Sequence, residues 1–422
     1  MLDTKLLRNP NLVKDLIGKR NLEFPLQELL LLDSRRRELN LRVDEIRHKK
    51  NILVNQISMK KKGDRDTLEE IKLIKETSNT LSNLEAEKSE LDTKFKRLMM
   101  LLPNLILDSV PIGNNESDNV MVRSHGTIKK LNFQAKDHVD LTTTLDLVDF
   151  ERAAKVAGAR FYFLKNDLVL LNQALIRMAL DFLLDKSYTL LQPPYMIRKE
   201  AMEGAVILGD FEQVIYKIEK EDLYMIGTSE HAVASMHMNE ILDGSKLPIR
   251  YGAISPCFRK EAGAHGKDMK GIFRVHQFEK VEQFVYSRPE ESEKQHDIML
   301  AISEAFYEHL GIPTRTMLLC SGDLGKISAK TFDIEAWMPG QNAYREIVSC
   351  SNCIDYQARG LHIRFRDRPN DETKLIHTLN GTLVATERCM VAIIENYQTD
   401  RGTIEVPDSL RKYMNDLKEI KL

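Results

Sequence analysis

Between Pro25 and Pro103 the chain contains a single glycine, Gly63, and no proline. Within that stretch Leu32, Arg36, Leu39, Val43, Ile46, Lys50, Leu53 and Ile57 are separated alternately by four and three residues. The spacing recurs at Leu81, Leu84, Lys88, Leu91, Phe95, Leu98 and Leu102. A repeat of this kind is a helix–helix seam, here with basic interruptions. Gly63, in MKKKGDRD, breaks the pattern, and Pro103 ends it. The spacing predicts two long helices joined by a short turn, an antiparallel coiled-coil hairpin. At a rise of about 1.5 Å per residue, each arm spans some 45–55 Å. Such an arm encloses no pocket; it is a spacer or a grip.

Arg47, Lys49, Lys50, Lys60, Lys61, Lys62 and Arg65 gather toward the turn, with few acids among them. Two readings stand side by side: a solvated helical end, or a contact with nucleic acid. Aromatics are absent there, so a nucleic-acid contact would be to phosphate and shape rather than to stacked bases. The formal net charge of the 422 residues is −2, which excludes a globally basic chain but not a basic patch. Five cysteines, an odd number, point to a reducing compartment rather than a disulfide scaffold. The lone CxxC, Cys350 and Cys353, reads as small buried thiols rather than half of a zinc site. The N-terminus lacks the apolar core of a secretory signal, and no apolar run reaches the roughly 18 residues of a membrane span. A soluble cytoplasmic protein with no membrane partner is the expectation.

The stretch LLPNLILDSVPIGNNESDN, with Pro103, Pro111 and Gly113, reads as a linker. It divides an N-terminal domain, 1–110, from a second domain, 111–422. Helical periodicity appears over 174–184, and strand-like runs at 223–226, 272–275, 278–284, 331–337 and 379–384. Helices and strands do not alternate regularly, so the second domain is read as α+β with an antiparallel sheet. There is no GxGxxG after a strand and no GxxxxGK[ST], so neither a Rossmann nor a P-loop nucleotide site is indicated.

The segment CFRKEAGAHGKDMKGIFRVHQFEKVE, 257–282, is the richest in chemistry. It reads as two strands around a long polar, glycine-rich loop. Arg259 ends the first strand and Arg274 stands early in the second; arginine pairs with phosphate or carboxylate through two parallel hydrogen bonds. Phe278 offers a face for a base, and Glu282 a carboxylate for an ammonium group. Residues four apart in a strand share a face, so Arg274, Phe278 and Glu282 are expected to address one ligand. An exposed face stitched by ion pairs is the other reading. Glu346 and Ser349, in YREIVSCSN, could ligate a hard cation such as Mg²⁺, although a surface pair gives the same pattern. In NGTLVATERCMVAIIENYQ an apolar strand is expected to end at Gly381–Thr382, with Arg388 near the start of a following helix.

Taken together, the basic hairpin, PPYM at 193–196, GTSEH at 227–231, the 257–282 block, EIVSCSN and NGTLVATERCMVAIIENYQ resemble the seryl-tRNA synthetase family across essentially the whole chain. These are class II aminoacyl-tRNA synthetases; the resemblance is to the type without active-site zinc. It implies a class II antiparallel-sheet catalytic domain behind the hairpin. It also implies ATP-dependent ligation of L-serine to serine tRNA through seryl-adenylate, extending to a selenocysteine tRNA in an organism that has one. By resemblance, Arg259 binds the ATP α-phosphate and the serine carboxylate. Glu261 meets the adenine amino edge, Phe278 stacks on adenine, and Arg274 and Arg388 hold the γ-phosphate end. Glu346 and Ser349 coordinate Mg²⁺. Thr228, Glu230, Glu282, Asn380 and Thr382 form the serine pocket. Pro194 belongs to a homodimer interface. Arg36, Arg47, Lys50, Lys61, Lys62 and Arg65 are the implied tRNA-binding residues of the hairpin. Two departures stand out: Thr386–Glu387 before Arg388, where an acid near a triphosphate is unfavourable unless it points away, and Ala264 in place of a frequent serine.

Two other functions fit parts of this pattern. A paralogue that loads a protein carrier would have lost the tRNA grip, and the hairpin is complete. A coiled-coil protein with a dead synthetase fold would have lost Arg259, Arg274, Glu346 or Arg388, and all are present.

Overall fold

The computed structural model of the chain describes residues 1–62, 66–207, 214–261 and 270–422. Two compact units result, Leu2–Pro103 and Asn104–Leu422, the latter together with Met1.

The first unit holds α1 (Pro10–Lys19), α2 (Leu26–Lys62) and α3 (Leu68–Leu101). The 37 residues of α2 and 34 of α3 make arms of about 50–55 Å. Their seam follows the heptads: Leu39, Val43, Leu81 and Leu84 are buried together, with Ile46 and Leu91 packed against them. Phe95, Met99 and Leu102 are also buried. The basic interruption at Arg36 is accommodated by pairing, its Nε lying 2.7 Å from Asp92 and its guanidinium 4.7 Å from the Phe95 ring.

The second unit is α+β. Among the described residues its main sheet has eight strands: β1 (Val120–His125), β2 (Thr189–Leu191), β3 (Ile249–Phe258), β4 (Gln277–Ser287), β5 (Thr314–Leu318), β6 (Lys330–Met338), β7 (Ala343–Asn352) and β8 (His377–Ala385). Their order is β1-β5-β6-β7-β8-β4-β3-β2, antiparallel except for the β2–β3 pair. Residues 104–110 pack with this unit. The Asn104 amide donates to the Ile327 and Cys353 carbonyls, and Val110 is buried with Leu319 and Leu324.

Alternation along the strands assigns two faces. Val281 and Val285 of β4, with Leu379 and Leu383 of β8, face a core shared with helices α4 (Asp167–Asp185), α6 (Ser292–His309) and α7 (Thr386–Asn396). On the opposite face Phe284 and Tyr286 join a second core, which includes residues of the short helix α5 (Ser229–Ser235). Nearer the start of β4 this second face opens, and there the site lies.

Two sequence expectations change. Residues 272–275 are not a strand. Pairing between β3 and β4 ends at Phe258 and Gln277, and the His276 N–H turns to the Arg160 carbonyl at 3.2 Å. Ile272, Phe273 and Val275 are nevertheless buried, which is why they read as strand-like. Strand β8 also runs past Gly381–Thr382 to Ala385, placing Arg388 third in α7. Gly63, Arg65 and Ala264 lie outside the described residues.

Candidate active site

A cavity on the open face is lined by residues from β4, β7, β8, α5 and α7 and from the segments flanking them, among them Thr228, Glu230, Arg259, Glu261, Arg274, Phe278, Glu282, Glu346, Ser349, Asn380, Thr382 and Arg388. Each residue that the sequence reading assigned to nucleotide, serine or metal is therefore at one place. Their order follows the sheet register. Phe278, Lys280 and Glu282 succeed one another on one face of β4, about 7 Å per step. Thr382 stands opposite Glu282. Arg388 lies beyond the β8 residue opposite Lys280, and Arg259 follows the β3 residue opposite Gln277. The arginines thus gather at one end, and Glu230 and Glu282 at the other.

At the cationic end, the Arg259 Nε donates to the Gly227 carbonyl at 3.1 Å, and its guanidinium lies 5.2 Å from the Phe278 ring centre. Arg274 pairs with Glu261 at 3.3 Å, and Arg160 donates to the Glu261 carbonyl at 2.8 Å. Glu261 holds a φ of 47°, a strained conformation that persists only where neighbours enforce it. Arg388 pairs with Glu346 at 2.9 Å and stacks 5.1 Å from Phe273. Arg274, Phe278 and Glu282 meet at the cavity, but not through a shared strand face, because Arg274 precedes β4.

Glu346 and Ser349, three apart, should lie on opposite faces of a regular strand. They share the cavity because β7 carries a bulge: Val348 pairs with Ile334 and Glu346 with Glu335, leaving Ile347 as the extra residue. Opposite Ser349 lies Asp333, half-buried, whose Oδ1 is buried with no partner among the described residues. Burial, then the nearby Glu346, pushes its carboxyl well above the usual range. An orphaned carboxylate oxygen beside a carboxylate and a hydroxyl is a donor set suited to a hard cation.

At the acidic end Glu230 accepts from Gln357 at 2.8 Å and Asn380 at 3.1 Å. Burial, and then the charge of Glu282, pushes its carboxyl up to about 7. Thr382 donates to Glu282 at 3.3 Å, and Lys280 pairs with the same carboxylate. The Glu230 N–H donates to Thr228 Oγ1 at 3.2 Å, fixing the start of α5. His231 is buried and held neutral, pushed down to about 3 by desolvation; its Nδ1 accepts from the Gly227 N–H.

Glu387 does not line the cavity. It turns into the protein, accepting from Tyr162 and from the Glu279 N–H, and burial pushes it up to about 7. The departure noted in the sequence thus adds no acid to the cationic end. Sequence reasoning missed Asp333 and Lys280. The period of two in FEKVE could have found Lys280, whereas Asp333 needed the β6–β7 register.

In the hairpin, Arg47 pairs with Glu85 at 2.7 Å, so it and Arg36 tie the helices to each other. Lys61 and Lys62 are exposed at the end of α2 and Lys50 is half-buried.

Residues 1–106 match the family model for the seryl-tRNA synthetase N-terminal domain, and residues 214–397 the class II core domain of synthetases for G, H, P, S and T. The chain is 58% identical to the serine–tRNA ligase of Nitrosopumilus maritimus over all of both chains. Its fold is similar to that of the Pyrococcus horikoshii seryl-tRNA synthetase complexed with ATP, with a TM-score of 0.92 and 47% identity over 100% of this chain and 99% of that one. A similar match covers 100% of this chain and 99% of the cytoplasmic serine–tRNA ligase of Naegleria fowleri in complex with AMP, with a TM-score of 0.86 and 35% identity.

Proposed function

The chain belongs to the seryl-tRNA synthetase family, and from that premise we propose how its cavity activates L-serine with ATP and passes the seryl group to serine tRNA. The carrying observation is the polarity of the site. Arg259, Arg274 and Arg388 suit the triphosphate, and Glu230 and Glu282 suit the ammonium group of an amino acid. Arg259 stands where the serine carboxylate and the α-phosphate would meet. The carboxylate is already ionised at neutral pH, so its attack on phosphorus, with departure of pyrophosphate, needs no general base. It needs relief of like-charge repulsion and an in-line approach, which fixed arginines provide. Phe278 offers the adenine its face, and Glu261, which lines the same cavity, would meet its amino edge. The 3′-hydroxyl of the tRNA then attacks the adenylate carbonyl, displacing AMP. Glu282, Thr382 and Asn380 would bind the serine hydroxyl, and a site built for that bond disfavours alanine, which leaves it unmatched.

Glu346 and Ser349, with Asp333 behind them, would hold Mg²⁺. The ion, when bound, supplies charge neutralisation at the phosphates. Glu346→Ala is expected to raise the magnesium needed for half-maximal exchange roughly tenfold or more. A magnesium titration with unchanged midpoint would remove Glu346 from the metal site.

We infer a homodimer formed through the face around Pro194. Pro193, Pro194, Ile197 and Met236 line an apolar groove there, and Met236 is 50% exposed. Sedimentation at about twice the 48.6 kDa chain mass is expected, with Met236→Asp shifted to the monomer. Monomeric wild-type protein would refute the interface. A cytoplasmic location fits the five free, buried cysteines. No helix among the described residues is long and apolar enough to cross a membrane.

The test is ATP–pyrophosphate exchange with serine, threonine, alanine and glycine, followed by charging of total tRNA. Serine-dependent exchange with charging is expected. Exchange without charging would favour carrier loading, and no exchange a binding protein.

A further inference from the structure

Lys280 has no task in the reaction as described, yet it sits in the site. It occupies the middle of the open face of β4, between Phe278 and Glu282. Its side chain is 8% exposed and that of Glu282 2%. Burying an ammonium group is costly unless it is paired. Lys280 is paired with Oε2 of Glu282, the same oxygen that accepts from Thr382. Both of these contacts fall on Oε2. A second carboxylate, Glu230, is buried in the same pocket. Two carboxylates in one desolvated site share a proton unless a cation neutralises one of them. A protonated carboxyl is a poorer partner for an ammonium ion.

We propose that Lys280 is a positioning residue for amino-acid recognition, fixing the charge and rotamer of Glu282 so that Oε1 is presented to the ammonium and hydroxyl groups of serine. This rests on the reading of Glu282 as a serine ligand. Lys280 acts through Glu282, so its removal affects the amino acid and spares the nucleotide.

The measurement is exchange kinetics of Lys280→Met, Lys280→Arg and Glu282→Gln, with KM for serine and ATP determined separately. Lys280→Met is expected to raise serine KM about tenfold or more, with ATP KM within about threefold of wild type. Lys280→Arg keeps the charge and should recover most of the loss. Serine and ATP KM rising together would mean a structural role only and would overturn the proposal. So would a wild-type serine KM in Lys280→Met while Glu282→Gln is impaired. If Glu282→Gln leaves serine KM unchanged, the underlying reading of Glu282 fails first.

Discussion

Arg259→Ala is expected to lower serine-dependent pyrophosphate exchange on the order of 10³-fold, with the fold and the proposed association retained. The size of the effect follows from what the reaction lacks. An ionised carboxylate must approach a polyanion, and the barrier is mostly electrostatic. Arg259 is oriented by the Gly227 carbonyl and lies against Phe278, so its guanidinium is in place before either substrate arrives. A preorganised charge costs no reorganisation at the moment of reaction. Lysine is a poor substitute, because one point charge does not reproduce two parallel hydrogen bonds. Arg259→Lys should therefore stay well below wild type, with kcat reduced more than KM. Fold is read from circular dichroism and association from sedimentation. Exchange within about tenfold of wild type in Arg259→Ala would remove this residue from the centre of the mechanism.

Excising the hairpin, about residues 30–100 replaced by a short Gly-Ser link, is expected to separate the two half-reactions. Serine-dependent exchange should persist within about threefold, and charging of serine tRNA should fall on the order of 10²-fold or more. Residues 2–103 form their own compact unit, and the seam of Leu39, Val43, Leu81 and Leu84 is internal to it. Its loss therefore leaves the cores of the second unit intact. A grip on tRNA phosphates is also salt-dependent, whereas half-buried arginines in a cavity are screened less. For the wild-type chain, charging should decline with added salt before exchange does. Parallel loss of exchange and charging in the excised variant would show that the hairpin is not a separable grip.

Legibility of the site varied with the reason each residue is there. Arg259, Phe278 and Glu282 could be read because they lie close in sequence around strands of plain period. Glu346 and Ser349 could be read from residue type only as a weak cation pair that resemblance strengthened, since their spacing puts them on opposite faces without the bulge at Ile347. The run 272–275 misled, because burial of Ile272, Phe273 and Val275 imitates strand composition where no ladder exists. Glu387 looked like a conflict beside Arg388. One residue along a helix turns a side chain by about 100°, and here that turn carries it to Tyr162 and out of the cavity.

By itself the sequence determined what depends on local period and side-chain type: the hairpin from its heptads, the α+β character of the second unit, and the set of arginines and acids available for chemistry. Only the tertiary structure decided which of them share a space and in what state. Glu230 and Asn380 bond across 150 residues of chain, and no local pattern encodes that meeting. The carboxyl of Glu230 is pushed up to about 7 because neighbouring elements remove water from it and bring Glu282 beside it. Desolvation belongs to the surroundings of a residue, and those surroundings exist only once the sheet and its helices have closed around it.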